Sequence, residues 1–184
     1  RYLYDKTYQE ELEYLVGSQS RNNFITNLCL RSDGNILCLY QLVEKHGEIL
    51  YNTIKEKIDD NRKLFFVHGG VAAEERERIR AITEKQNDAI IIASYGTFST
   101  GINIRNLHNL IFASPSKSRI RNLQSIGRGL RIGDSKTHAT LYDISDDLTH
   151  RERENYTLKH FQERMKIYNE EQFDYEMHSV ELKS

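Results

Sequence analysis

Apolar positions in the middle of the chain gather into five short runs, and polar stretches of helical period separate them. The runs are "NILCLYQ" (35–41), "KLFFVH" (63–68), "AIIIAS" (89–94), "NLIFAS" (109–114) and "HATLYDI" (138–144). They are almost continuously apolar rather than alternating, as strands covered on both faces must be. Between them, residues 44–59 repeat Leu50, Ile54 and Ile58 every fourth position, which predicts a helix with one stripe toward the sheet. Residues 73–86 are mostly charged, with Ile79 and Ile82 as the inward contacts and Glu74 and Glu75 near the positive end of the helix dipole. A third helix is expected over 118–130. Strands alternating with helices define an α/β fold: a parallel sheet with helices on both faces.

The flanks differ in kind. Residues 5–16 place Tyr8, Leu12 and Leu15 on one helical face, and residues 150–176 do the same with Leu158, Phe161, Met165 and Tyr168. Both ends therefore read as helices packed against the rest of the protein. Neither an internal repeat nor a low-complexity tract is visible, and Pro115 is the single proline.

Composition narrows the class. The 184 residues suffice for one domain that removes roughly 70% of its unfolded surface from water. No apolar run approaches the roughly 20 residues needed to cross a bilayer, and the start "RYLYDKTYQEE" is too polar for a secretory signal. Cys29 and Cys38 lie in apolar runs without a spacing signature, which points to a reducing, intracellular compartment. The seven histidines show no ligand spacing, so no structural metal is expected. A first residue of Arg rather than Met leads us to expect a piece of something longer.

Net charge is −1, yet its distribution is uneven. Between Lys117 and Lys136 stand Lys117, Arg119, Arg121, Arg128, Arg131 and Lys136 against Asp134 alone. In an open parallel sheet, ligands gather at the carboxyl ends of the strands. There the sequence places His68, Gly69 and Gly70, then Ser94, Gly96, Thr97, Ser99, Thr100 and Gly101, then Ser114, Pro115, Ser116 and Lys117. Small residues let backbone N–H groups approach a phosphate, and hydroxyls add donors without bulk. Arg128 and Arg131, three apart on a helix, can converge on one anion, and Gln124 sits on the same side. Structural ion pairs are the competing use of these arginines, which the local shortage of acids disfavours.

"QSIGRGLRIG" (124–133) resembles motif VI of superfamily 2 helicases and translocases, Gln-x-x-Gly-Arg-x-x-Arg. "IIIASYGTFSTGINI" (90–104) resembles their motif V and "ILCLYQLVEKHGEIL" (36–50) their motif IV. "LFFVHGGVAAEERERI" (64–79) is similar to the His-Gly strand and helix that follow. An ordered set of four is a far more specific match than one short motif. Within the superfamily the chain resembles the recombination and repair helicases of phages, and in its motif V the double-strand translocases of the chromatin-remodeller branch.

The resemblance implies a second RecA-like helicase domain over 23–148, a helical flank over 1–22 and a helical extension over 149–184. It assigns Arg131 and Arg128 to the γ-phosphate, Arg131 as the arginine finger, with Gln124 beside them as catalytic. Gly101 matches the motif V glycine. Asn103 falls where many relatives place an Asp near the ribose, an amide here replacing the acid. Ser94, Thr97, Thr100, His68, Gly69 and Lys117 are the expected nucleic-acid contacts. The implied cofactors are ATP and Mg²⁺, held mainly by an N-terminal RecA-like domain outside this sequence, because the chain has no Gly-Lys dipeptide and no Asp-Glu pair. Alone it should be inactive. The implied partners are branched or duplex DNA, RNA–DNA hybrids and that N-terminal domain; the expected state is a monomer, in the host cytoplasm if phage-encoded. The implied activity is branch migration, fork regression and unwinding of D-loops and R-loops. The competing reading is an ATP-independent module that binds DNA or protein through its basic face.

Overall fold

The computed structural model describes residues 6–99, 104–115 and 139–183. Its elements, in chain order, begin with the helices α1 (Tyr8–Val16) and α2 (Gln19–Arg31). Then come β1 (Ile36–Tyr40), a π-helical turn (Val43–Gly47) leading into α3 (Glu48–Lys57), β2 (Leu64–Val67) and α4 (Ala73–Glu84). The series continues with β3 (Ile90–Ser94), the short α5 (Tyr95–Ser99), β4 (Asn109–Phe112), β5 (Thr140–Asp143) and α6 (Tyr156–Glu170). The expected helix over 118–130 lies outside the described residues.

All five expected strands form, and they pair in parallel in the order β2-β3-β1-β4-β5. Tyr40 is level with Ser94, Leu39 with Phe112 and Phe112 with Asp143, so the polar residues after each strand come out along one edge. Alternation within the buried strands supplies two cores. Leu37, Leu39, Ile91, Ala93, Leu110 and Phe112 face α4 and α6, where Ile79, Ile167 and Tyr168 meet them. Ile36, Cys38, Tyr40, Ile90, Ile92 and Ile111 face α2 and α3, where Ile25, Cys29, Leu50 and Ile54 meet them. Gly47 is required here: a Cβ on it would stand 2.5 Å from the Tyr40 ring.

Two helical segments depart from the expected pattern. Helix α2 runs across position 22, and its buried face mixes Ile25 and Cys29 with Arg21, Asn22 and Thr26, so no clean apolar stripe announces it. Ser18 caps it by accepting from the Arg21 N–H at 3.3 Å. In α6, Leu158, Phe161 and Met165 are only half-buried, while Arg164 and Ile167 join Tyr168 against the sheet. The cause is Asp143 at the end of β5, whose carboxylate draws Arg164 inward at 2.7 Å. The N-terminus of α6 is capped from a distance. The buried Glu11 carboxylate accepts from the backbone N–H groups of Tyr156 (3.0 Å) and Thr157 (2.7 Å), tying α1 to α6.

Candidate nucleotide and nucleic-acid site

The carboxyl edge of the sheet is where the described candidate residues meet. After β2, the exposed Gly69 has open space where a Cβ would stand, and the His68 ring rests 5.4 Å from the Phe66 ring. The Gly70 N–H donates to His68 Nδ1 at 3.1 Å, which holds the ring against the turn. On the neighbouring strand end, Ser94 is half-buried and its hydroxyl lies 2.6 Å from that of Thr97. The Thr97 N–H also donates to Ser94 Oγ at 3.3 Å, so Ser94 caps the first turn of α5. His68, Gly69 and Ser94 thus share one edge on adjacent strands. Thr97 is turned inward onto Ser94 and is only 3% exposed.

Next along the edge, the ends of β1 and β4 are joined by a buried polar network. Ser114 Oγ accepts from the Gln41 N–H at 3.0 Å and lies 2.5 Å from His46 Nδ1. His46 Nε2 lies 2.9 Å from Asn22 Oδ1, and Asn22 Nδ2 donates to the Val16 carbonyl at 2.8 Å. Because Asn22 spends its amide donor on Val16, its oxygen must accept, so the His46 proton sits on Nε2 and Nδ1 accepts from the Ser114 hydroxyl. The ring is therefore neutral. Burial, reinforced by the nearby Arg21 cation, pushes its pKa down to about 3. Tyr95, which follows Ser94, completes the node by donating its hydroxyl to the Ser114 carbonyl at 2.7 Å.

Two guanidinium groups brace the same edge from the flanking helices. Arg21 donates to Asp146 at 2.9 and 3.0 Å and to the Ala113 carbonyl at 2.6 Å, linking α2 to the ends of β4 and β5. Arg164 donates to both Asp143 oxygens at 2.7 and 2.9 Å, and the Tyr168 hydroxyl adds a third bond there at 2.7 Å. Both cations are thereby committed to carboxylates and leave no charge for a ligand. Positive charge for a polyphosphate must come from elsewhere in the sequence.

The residues that could supply it follow directly. Pro115 ends the described stretch after β4, and Lys117, Gln124, Arg128 and Arg131 lie outside the described residues, as do Thr100, Gly101 and Asn103. Among the described residues no group of three or more His, Cys, Asp or Glu side chains gathers to hold a metal ion, and no helix is long and apolar enough to cross a membrane. Sequence reasoning placed Ser114 in a polar loop but missed its partnership with Gln41, His46 and Tyr95. These contacts join residues up to 73 positions apart, and no local spacing signals them.

The five-stranded parallel sheet with helices on both faces is a RecA-like α/β fold, and residues 20–133 match the family of the helicase conserved C-terminal domain. The chain belongs to that family. It is 37% identical over 193 residues to the ATP-dependent DNA helicase UvsW of Enterobacteria phage T4, an alignment covering 98% of this chain and 38% of that protein. The crystal structure of T4 UvsW superposes with a TM-score of 0.78 at 38% identity, over 96% of this chain and 37% of that one. The chain thus spans less than two fifths of the length of that relative. The SWI2/SNF2 ATPase core domain of Sulfolobus solfataricus shares the fold, with a TM-score of 0.52 at 19% identity over 76% of this chain and 26% of that one.

Proposed function

We propose that this chain is the C-terminal motor lobe of an ATP-dependent DNA helicase or translocase that remodels branched nucleic acid. Residues 23–148 form the second RecA-like lobe in this reading, with 1–22 and 149–184 as its helical flank and extension. The observation that supports it is the braced end of β4: Ala113 and Ser114 are fixed by Arg21, Gln41, His46 and Tyr95, ten residues before "QSIGRGLRIG" begins in the sequence. A rigid launching point suits side chains that must reach a phosphoryl group across a cleft.

In this reading Arg131 and Arg128 neutralise charge developing on the transferring γ-phosphoryl group, and Gln124 orients a neighbouring group or water. Gly101 and Asn103 line the nucleotide from this side. ATP with Mg²⁺ supplies that phosphoryl group, held mainly by an N-terminal RecA-like domain. His68, Gly69, Ser94, Thr97, Thr100 and Lys117 follow the backbone of duplex or branched DNA or of an RNA–DNA hybrid. Backbone contacts of this kind fit branch migration, fork regression and the unwinding of D-loops and R-loops, none of which needs base readout.

The test is Arg131→Ala in the full-length protein, with DNA-stimulated ATP hydrolysis and DNA affinity measured side by side. Loss of a finger lowers turnover on the order of 10³-fold or more while DNA binding persists. Normal turnover in that variant overturns the reading in favour of a binding module that works without ATP.

A further inference from the structure

The chain leaving β5 turns back on itself before α6 begins. His150 and Arg153 exchange both backbone hydrogen bonds, at 3.1 and 3.0 Å, and the two residues between them stand at positive φ, Arg151 at 47° and Glu152 at 66°. Asn and Gly fill such a turn with the least strain, so an arginine and a glutamate persist there only because the surrounding loop fixes them. The Asn155 side chain accepts from the Leu148 N–H at 2.8 Å and donates to the Asp146 carbonyl at 3.0 Å, while Arg21 holds the Asp146 carboxylate. Glu11 fixes the next residue, Tyr156, by its backbone N–H at 3.0 Å. This rigid base presents cations and an aromatic ring to solvent: Arg151, Arg153 and Lys159 are exposed, and Tyr156 is 46% exposed. The Tyr156 ring is steadied by edge contact with Tyr8 at 6.4 Å, and Tyr8 lies edge-on to His160 at 5.2 Å. Among the described residues neither Arg151 nor Lys159 is in an ion pair, whereas Lys166, two turns further along α6, is tied to Glu163 at 3.1 Å.

We infer that the turn at 150–153 and the first turn of α6 form a separate nucleic-acid contact, beyond β5, that holds the single-stranded arm of a branched DNA. This rests on the motor reading above and deepens it by naming a substrate feature, an unpaired strand. Arg151, Arg153 and Lys159 meet backbone phosphates, and Tyr156 stacks on a base whose face is available only where the duplex has opened. Because β5 runs parallel to its neighbours, this surface follows from the carboxyl edge of the sheet, the edge on which His68 and Ser94 stand. Glu152, exposed at the same tip, keeps the surface from being a broad cationic field. The preference therefore comes from the stacking ring and the fixed turn, with the cations adding salt-sensitive affinity.

The test titrates the full-length protein against a fluorescein-labelled fork with a single-stranded arm and against a blunt duplex of equal length. Tyr156→Ala is expected to weaken binding to the fork on the order of tenfold and to leave the duplex unchanged, while Tyr156→Phe, which keeps a stacking ring, stays near the parent. Lys159→Ala should reduce the salt slope for the fork by about 0.7. The second variant, Arg151→Asn with Glu152→Gly, leaves the net charge as it was and relieves the turn, so its melting temperature holds or rises while its affinity for the fork falls. Equal weakening on fork and duplex overturns the inference, and so does parental affinity for the fork in either Tyr156→Ala or the turn variant. The two levels separate in the parent: if it binds neither DNA and shows no DNA-stimulated ATP hydrolysis, the motor reading itself fails. If the parent is active on both and the variants match it, only this contact fails.

Discussion

The guanidinium of Arg21 grips the Asp146 carboxylate at 2.9 Å while donating to the Ala113 carbonyl at 2.6 Å, so one buried side chain of α2 fastens the ends of β4 and β5 together. Arg21 is 1% exposed, and its partner is nearly as well sheltered. Removing one member of such a pair strands the other charge in a poorly solvated site, which costs about 3–5 kcal/mol. Arg21→Ala should lose that much in urea unfolding. Arg21→Lys should recover little of it, because an ammonium group lacks the planar fork that serves Asp146 and Ala113 at once. A near-parental midpoint for either variant would mean that the bridge contributes nothing.

His46 makes stability depend on acidity in a definite direction. Its folded pKa is held at about 3 by burial and by the Arg21 cation, below the ordinary value near 6.5. Above the ordinary value both states carry a neutral ring and nothing is lost. As pH falls below it, the unfolded chain takes up a proton that the folded ring refuses, so stability declines toward pH 3 by as much as about 1.4 kcal/mol per pH unit from this group. The comparison is unfolding free energy against pH for the parent and His46→Gln, which cannot titrate. Parallel curves would show that His46 does not carry this proton.

Glu11 should be worth more than a surface carboxylate. It serves Tyr156 N and Thr157 N and also accepts from Asn155 Nδ2 at 3.2 Å, standing in for the side-chain cap that Asn155 does not provide. Glu11→Ala leaves those donors unmet where water has little access, a loss on the order of 2 kcal/mol or more. Amide exchange resolves the effect by location, with the first turn of α6 losing protection before the sheet does. Uniform loss throughout would contradict a capping role.

The sheet was legible because its signal is local. Five apolar runs with polar turns can be read without knowing which strand lies beside which, and each run formed a strand within two residues of its expected ends. Helix α2 was not legible, since Arg21, Asn22 and Thr26 interrupt its inward face, and the polarity of the first two is met by distant partners, Asp146 and Ala113 for Arg21 and Val16 and His46 for Asn22. The face of α6 was misjudged for the same reason, with Arg164 buried by Asp143 against the expectation from hydropathy. At the candidate site, His68 and Ser94 could be placed by the strand-end rule. The inward turn of Thr97 and the Ser114 node could not, because both depend on side-chain pairing rather than on position along a strand.

The two cysteines provide a readout of the whole fold. Cys29 of α2 and Cys38 of β1 are free, fully buried and packed in the same core layer. The Cys38 thiol is pushed well above its usual value, first by its hydrogen bond with Cys29 and then by burial. Both sulfurs are fully buried, so neither should react with a thiol reagent such as Ellman's at neutral pH until the α2 layer lifts from the sheet. Labelling rates across a urea series should then follow the opening free energy, and Arg21→Ala should accelerate labelling in proportion to its loss of stability. Fast labelling of the intact parent in the absence of denaturant would place α2 elsewhere than on this face.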